Sequence, residues 1–217
     1  MPGQPSEGVI KFSQQHTAAA LPEWVDPADL QYWFRRCREL DLVGQCRQRY
    51  AGAAYGNLSQ RAERGFVVTG SQTGGLATLK RQHFAWVQEV DAARNVVTSC
   101  GPVAPSSESM THAQVYALLP QVNFVIHVHH RGIWENAAQL GLAVTDPAAE
   151  YGTPQMAAEV ERLLGQAQVQ ASCALSMGGH EDGIITFGAT AGEAGMRLLE
   201  LYRAASARPP APGQEHC

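Results

Sequence analysis

The segment that most constrains the fold is residues 124–130, with the sequence FVIHVHH. Side chains of a β-strand alternate between its two faces, so His127 and His129 would point the same way from an apolar, strand-forming run. Their Cα atoms would lie roughly 6.6 Å apart, which allows both rings to reach one metal ion at about 2 Å from each nitrogen. The alternative is a solvated strand end that happens to hold these histidines. A third ligand would have to come from elsewhere in the chain.

The composition is that of an ordinary globular protein. The chain has 217 residues, 45% of them hydrophobic, and a formal net charge of −4, which fits one generous domain. Charges of both signs are interspersed, so there is no basic stripe for nucleic acid and no polybasic segment for a membrane. The first residues lack the pattern of a signal peptide, and no apolar run is long enough to span a bilayer. The composition therefore favours small-molecule chemistry or protein contacts, and we expect a cytoplasmic protein.

The chain divides into one folded unit and two less ordered ends. Residues 1–22 are rich in Gln, Ser, Thr and Ala and predict a flexible N-terminal arm. Residues 207–217 are rich in proline and predict a disordered tail. The intervening residues 23–206 contain no internal repeat and no linker. They are predicted to form a single domain.

The periodicities within this domain predict helices at its ends and strands between them. An apolar stripe at helical spacing predicts a helix over residues 27–40, followed by a second helical piece that reaches Tyr50. Residues 84–91 and 96–100 predict an antiparallel hairpin. A final helix is predicted to begin after Thr190, which has the spacing of a capping box. The pattern indicates an α/β fold with three αβα layers and a mixed, largely antiparallel central sheet.

A third histidine, His180, stands in a turn bounded by Gly179 and Gly183. Glycines permit the tight curvature that would present one imidazole from such a turn. Three neutral imidazoles with an open fourth position are the ligand set of a catalytic zinc or a similar divalent ion. His180 taken alone could instead be a surface residue of the turn.

Two hydroxyl residues and a carboxylate, Ser106, Ser107 and Glu108, precede a predicted helix. Serine hydroxyls and N–H groups at the start of a helix can bind an anion, and a carboxylate beside a metal can transfer protons. Glu108 could instead only interact with the helix dipole. A second set of donors suited to the same anion is formed by Gly56, Asn57, Ser59, Thr73 and Gly74.

Taken in order, these stretches resemble the class II aldolase/adducin family, which includes L-fuculose-phosphate aldolase and L-ribulose-5-phosphate 4-epimerase. The resemblance covers about residues 27–206. It rests on Gly56-Asn57-Leu58-Ser59, Thr73-Gly74, Pro105-Ser106-Ser107-Glu108, His127-Val128-His129 and His180 ahead of Gly183. One difference is that Glu181 and Asp182 separate His180 from the glycine, whereas histidine directly precedes glycine in the usual family pattern.

The resemblance implies a class II aldolase-like fold and a set of site residues. It implies a divalent metal, with zinc as the first choice, on His127, His129 and His180, and Glu108 as the proton-transferring carboxylate. It also implies a homotetramer with active sites between subunits. The positions implied to bind substrate and its phosphate are Asn57, Thr73, Gly74, Ser106 and Ser107.

The activity implied by the resemblance is that of a metal-dependent aldolase, a lyase of carbohydrate metabolism. It would cleave a small hydroxylated carbonyl compound, for which a ketose phosphate is one candidate, and a metal-chelated enediolate would form. An epimerase or dehydratase would use the same metal and carboxylate. A non-catalytic, adducin-like interaction module is the alternative from a different class, although the retained histidines argue against it.

Overall fold

The computed structural model describes residues 8–207, which contain a large sheet, a small sheet and six α-helices. The strands are β1 (Ser13–Ala18), β2 (Gly44–Gln45), β3 (Ala54–Tyr55), β4 (Asn57–Arg61), β5 (Phe66–Thr69), β6 (Phe84–Asp91), β7 (Val96–Gly101), β8 (Phe124–His129), β9 (Ala143–Val144), β10 (Ala174–Ser176) and β11 (Gly183–Gly188). The helices are α1 (Ala28–Glu39), α2 (Ser109–Leu118), α3 (Arg131–Glu135), α4 (Pro154–Leu164), α5 (Ala167–Ser172) and α6 (Ala191–Ser206). Within the described part of the chain, no helix combines the length and apolar character needed to cross a bilayer.

The large sheet has nine strands in the order β1-β7-β6-β5-β4-β8-β11-β10-β9. Its two outermost pairs, β1 with β7 and β9 with β10, are parallel, and the six pairs between them are antiparallel. The predicted mixed, largely antiparallel sheet is therefore confirmed. The histidine strand β8 lies inside the sheet, hydrogen-bonded to β4 on one side and β11 on the other.

Helices cover both faces of the sheet, which confirms the predicted three layers. Helices α1, α3 and α6 share one hydrophobic cluster with strand residues such as Ile126 and Val128. Helices α2, α4 and α5 share a second cluster with residues such as Val125. The alternation along β8 follows from the two-residue period of a strand. It places the side chains of His127 and His129 on the same face as Val125, toward the second cluster.

The predicted capping box at the start of α6 is present. The Thr190 hydroxyl accepts a hydrogen bond from the Glu193 backbone N–H at 3.1 Å, and the Glu193 carboxylate accepts one from the Thr190 N–H at 3.3 Å. These two bonds satisfy N–H groups that the first turn of a helix leaves without intrahelical partners. Local sequence therefore fixes where this helix begins.

The predicted helical extension to Tyr50 is wrong. Residues 44–45 form strand β2, which pairs with β3 in the separate two-stranded sheet. A Cβ at Gly44 would lie 2.6 Å from the Tyr55 hydroxyl oxygen, so a larger residue there would displace the Tyr55 ring. Long-range pairing with β3 overrides the local helical pattern.

The flexible arm predicted over residues 1–22 is corrected for its second half. Residues 13–18 form β1, which runs parallel to β7 at the edge of the large sheet. His16 Nδ1 lies 2.9 Å from the Ser99 hydroxyl oxygen across this pair. The strand is polar because one face of an edge strand meets solvent, and this conceals it in the sequence. Residues 1–7 and 208–217 lie outside the described residues, so the predictions for the first part of the arm and for nearly all of the tail remain predictions.

Candidate functional site

Strand β8 brings two imidazole rings together in the interior. The Nε2 atoms of His127 and His129 lie 3.2 Å apart, and both side chains are completely buried. The strand period alone predicts this shared direction. Two nitrogens at this separation can contact a single ion.

The third histidine reaches the same place from the turn between β10 and β11. One ring nitrogen from each of His127, His129 and His180 lies within 4.8 Å of the others. The turn is closely packed, because a Cβ at Gly179 would lie 1.8 Å from the Ala149 carbonyl oxygen. Antiparallel pairing of β11 with β8 sets Gly183 opposite His129 and so delivers His180 to the pair.

Burial keeps His127 and His129 in the form that binds metals. Burial, followed by the neighbouring His180, holds the pKa of His127 well below its ordinary value. The pKa of His129 is lowered by the same two causes in the same order. Neutral imidazole is the ligand form. His127 Nδ1 lies 3.2 Å from the Ile184 carbonyl oxygen, and a proton donated there leaves the Nε2 lone pair for an ion.

The residues present therefore fit a divalent transition metal. Three converging imidazole nitrogens are a common set for such ions, and the hydrogen bond from His127 to a backbone carbonyl is the kind of outer contact that orients a ligand. His127, His129 and His180 are the residues that could hold it.

Glu108 lies beside this cluster. Its Oε1 atom is 3.7 Å from His180 Nδ1, and its Oε2 atom accepts a hydrogen bond from the Thr111 hydroxyl at 3.2 Å. The side chain is 1% exposed. Although Glu108 precedes the first residue of α2, its carboxylate faces the histidine cluster and Thr111. The carboxylate thus lies both at the start of α2 and beside the histidine cluster.

A polar pocket is lined by all five residues predicted to bind substrate or phosphate. One of them, Ser107, directly precedes Glu108 in the sequence. Ser106 and Ser107 come from the segment before α2, and a hydrogen bond from Ser71 N to the Ala104 carbonyl joins this segment to the glycine-rich loop. The Thr73 hydroxyl donates to the Gly70 carbonyl at 2.7 Å and so shapes the loop. The pocket is lined by Gly8, Ala54, Gly56, Asn57, Gly70, Ser71, Gln72, Thr73, Gly74, Ser106 and Ser107.

Two aromatic residues that pack on the cluster were not predicted as site residues. The ring of Tyr151 stacks on His180, with centroids 4.6 Å apart and planes 25° apart. The ring of Tyr50 meets His129 edge-on at 4.7 Å. The N-terminal segment supports Tyr151, since the Val9 N–H donates to its hydroxyl and Lys11 Nζ lies 4.1 Å from its ring centroid. Both tyrosines are far from their histidine partners in the sequence, so only the fold reveals these contacts.

Three polar residues that adjoin the candidate ligands in sequence, His130, Glu181 and Asp182, do not belong to the histidine cluster. His130 lies at the start of α3, where its Nδ1 accepts from the Ile133 N–H, and its ring faces Tyr202 of α6. It therefore belongs to the opposite side of the sheet from the cluster. In the altered turn, Glu181 is exposed and the Asp182 carboxylate accepts a hydrogen bond from Tyr50 at 2.6 Å.

The sequence matches the family described as Class II Aldolase and Adducin N-terminal domain over residues 44–208. This match covers about three quarters of the chain. The chain belongs to the class II aldolase and adducin family. No curated protein sequence matches it significantly.

Solved structures share the fold of this chain. L-fuculose-1-phosphate aldolase from Thermus thermophilus aligns with a TM-score of 0.62 and 20% identity, over 83% of this chain and 90% of that one. The N-terminal class II aldolase domain of a conserved protein from Thermoplasma acidophilum aligns at 0.58 and 19%, over 87% and 96%. A sugar-phosphate aldolase from Thermotoga maritima aligns at 0.55 and 13%, over 82% and 94%. Identities this low show a shared fold, which confirms the predicted class II aldolase-like architecture.

Proposed function

We propose that the chain is a metal-dependent lyase that reversibly cleaves a carbon–carbon bond in a small hydroxylated carbonyl compound. The observation that carries this proposal is the buried cluster of His127, His129 and His180, whose ligand atoms lie within 4.8 Å, with Glu108 beside it. Membership of the class II aldolase and adducin family supports the same reaction class.

The three histidines would hold a divalent ion, with zinc as the first candidate. When bound, such an ion supplies Lewis-acid chemistry, polarising a substrate carbonyl and stabilising negative charge on its oxygen. Tyr151 and Tyr50 pack on the rings of His180 and His129 and exclude water from those faces. The protein thus contributes a dry, oriented set of ligands.

Glu108 is the residue we assign to proton transfer. Retro-aldol cleavage removes a hydroxyl proton as the carbon–carbon bond breaks, releases an aldehyde, and requires protonation of the carbon left on the other fragment. The Thr111 hydroxyl fixes one carboxylate oxygen of Glu108 by its hydrogen bond, and Oε1 lies on the histidine side. A carboxylate held in this way can carry the proton between fragment and solvent.

The polar pocket is the proposed site for a substrate anion, and a phosphate is the group it suits best. Ser107 lines the pocket and directly precedes Glu108, which lies beside His180. A substrate whose phosphate is bound in the pocket would therefore extend its carbonyl end toward the histidines. Hydroxyl and backbone donors, without a required lysine or arginine, can bind phosphate at such loops. The five residues proposed to bind it are Asn57, Thr73, Gly74, Ser106 and Ser107. Sugar phosphates are therefore the first substrate class to test.

An epimerase or dehydratase would use the same ligands and carboxylate, and product analysis separates these reactions from cleavage. An adducin-like interaction module would need neither the metal nor Glu108. A homotetramer and a cytoplasmic location stay predictions.

The test is a screen of purified, metal-loaded protein against phosphorylated and unphosphorylated ketoses, with the aldehyde product identified chemically. Glu108→Gln preserves the shape of the side chain and should reduce turnover by about 100-fold or more while the metal content is unchanged. Unchanged turnover in Glu108→Gln would refute the assigned mechanism. A rearranged or dehydrated product would favour the epimerase or dehydratase, and a metal-free, inactive wild type would favour the interaction module.

A further inference from the structure

Tyr50 contacts both of the elements that deliver candidate ligands. Its ring meets His129 of β8 edge-on at 4.7 Å, and its hydroxyl donates to Asp182 Oδ2 at 2.6 Å. Asp182 lies two residues after His180 in the same turn. A single side chain therefore links the strand that carries His129 to the turn that carries His180.

The Tyr50 hydroxyl is itself held in direction. Arg49 Nη2 donates to it at 3.2 Å, so its single proton is left to point at Asp182. Arg49 is fixed in turn, because its Nη1 donates to Asp41 Oδ2 at 2.7 Å and to the Tyr55 hydroxyl at 3.1 Å. Hydrogen bonds in such a partly buried chain reinforce one another.

Asp182 is equally constrained. Its side chain is buried, and its backbone carbonyl accepts a hydrogen bond from the His130 N–H at 2.8 Å, at the end of β8. Its φ angle of 63° is left-handed, a conformation that aspartate tolerates better than most residues. The turn that presents His180 is thus pinned to β8 through both the backbone and the side chain of Asp182.

An additional carboxylate in this turn could in principle enlarge the ligand set. Among residues 8–207, however, the group of side chains able to share an ion contains His127, His129 and His180 and does not include Asp182. The Asp182 carboxylate is directed at Tyr50 instead. Asp182 can therefore affect a bound ion through the position of the histidines.

We propose that Tyr50 and Asp182 act as a pair of positioning residues for the metal centre, which rests on the metal-binding function proposed above. Their hydrogen bond holds the ring of His129 and the turn of His180 at the separation that a bound ion requires. Contacts outside the ligands of a metal commonly change its affinity by about 10-fold to 100-fold.

The experiment measures Zn²⁺ affinity of the full-length protein by competition with a chromophoric chelator. Tyr50→Phe removes one oxygen and keeps the ring, and Asp182→Gly removes the carboxylate at a φ that glycine adopts freely. Glu181→Gly is the matched control, because it places a glycine in the same turn at an exposed carboxylate. Tyr32→Phe, on the exposed face of α1, controls for loss of a tyrosine hydroxyl.

We expect Tyr50→Phe and Asp182→Gly each to weaken Zn²⁺ binding by about tenfold, and the double variant to be no weaker than either one. The Co²⁺-loaded Tyr50→Phe protein should also show a shifted visible absorption spectrum, because the ligand geometry changes. Both control variants should match the wild type.

The failures are distinguishable. If the wild type binds no Zn²⁺, the proposed function and this inference both fail. If the wild type binds Zn²⁺ and Tyr50→Phe binds it equally well with the same Co²⁺ spectrum, the inference alone is overturned. Effects of Tyr50→Phe and Asp182→Gly that multiply in the double variant would overturn it as well. If Asp182→Gly does not fold, Tyr50→Phe alone decides.

Discussion

His112 Nε2 lies 2.7 Å from Asn57 Oδ1 in the interior between helix α2 and strand β4. Its other nitrogen, Nδ1, lies 2.6 Å from the Ser59 hydroxyl oxygen, which is in turn 2.7 Å from the hydroxyl of Tyr116. Because the Asn57 oxygen can only accept, His112 donates from Nε2 and accepts at Nδ1. The amide N–H groups of Asn57 are thereby left for the polar pocket.

This hydrogen-bonded chain should make the stability of the protein depend on pH. Burial lowers the pKa of His112 to about 3, below the ordinary value of 6.5. Between pH 3 and pH 6.5 the imidazole of His112 is protonated in the unfolded chain and neutral in the folded chain. The free energy of unfolding therefore carries no penalty from His112 above about pH 6.5 and decreases as the pH falls from 6.5 toward 3. From pH 7.5 to 5.5, His112 should cost about 1 kcal/mol of unfolding free energy.

Urea unfolding of chelator-treated wild type and His112→Gln at these two pH values measures that contribution. The wild type should lose more stability on acidification than the variant does. An equal loss in both proteins would show that His112 is not a buried neutral group.

A negative charge in the polar pocket should weaken anion binding. Ser107→Asp places a carboxylate among the lining residues, and two like charges about 4 Å apart repel by about 4 kcal/mol at an effective dielectric constant of about 20. Inorganic phosphate should therefore bind to Ser107→Asp at least tenfold more weakly than to the wild type, as measured by calorimetry. Ser107→Ala should change the phosphate affinity by a smaller factor. Equal phosphate affinity in wild type and Ser107→Asp would place the anion elsewhere.

Two glycines of α6 provide a matched test of the packing between α6 and α1. A Cβ at Gly195 would lie 2.2 Å from ring atoms of Trp33, whereas the nearest atom to one at the exposed Gly192 is 3.8 Å away. Gly195→Ala should thus destabilise the fold by about 1–3 kcal/mol. Gly192→Ala should be neutral or should stabilise it by up to about 1 kcal/mol, because alanine favours helix. Thermal unfolding of the two variants measures the contrast, and a similar shift in both would contradict the described contact.

The histidine site can be predicted in part because residues close together in the sequence determine much of its geometry. The two-residue period of β8 fixes the shared direction of His127 and His129, and glycines mark the turn of His180. The role of Tyr50 cannot be predicted, because its partner Asp182 is 132 residues away and the local pattern around Tyr50 suggests helix. Long-range pairing decides the structure of that segment.

The burial of His112 is hidden for a different reason. Its helix α2 carries small, polar and apolar residues on every side, so no stripe in the sequence identifies the buried face. Strand β1 escapes prediction because an edge strand with polar side chains has no apolar alternation to detect. The layers, by contrast, follow from the clear apolar stripe of α1 and the capping box that begins α6.

We propose that three histidines hold a divalent ion. The most direct measurement is the metal content, by elemental mass spectrometry, of wild type, His127→Gln and His130→Gln after purification without chelators. His130 is the matched control, because it follows the ligand strand but faces Tyr202 on the other side of the sheet. We predict about one divalent ion per chain in the wild type and in His130→Gln, and well under half of that in His127→Gln. Absence of metal from the wild type after incubation with zinc, or equal metal in all three proteins, would contradict the claim.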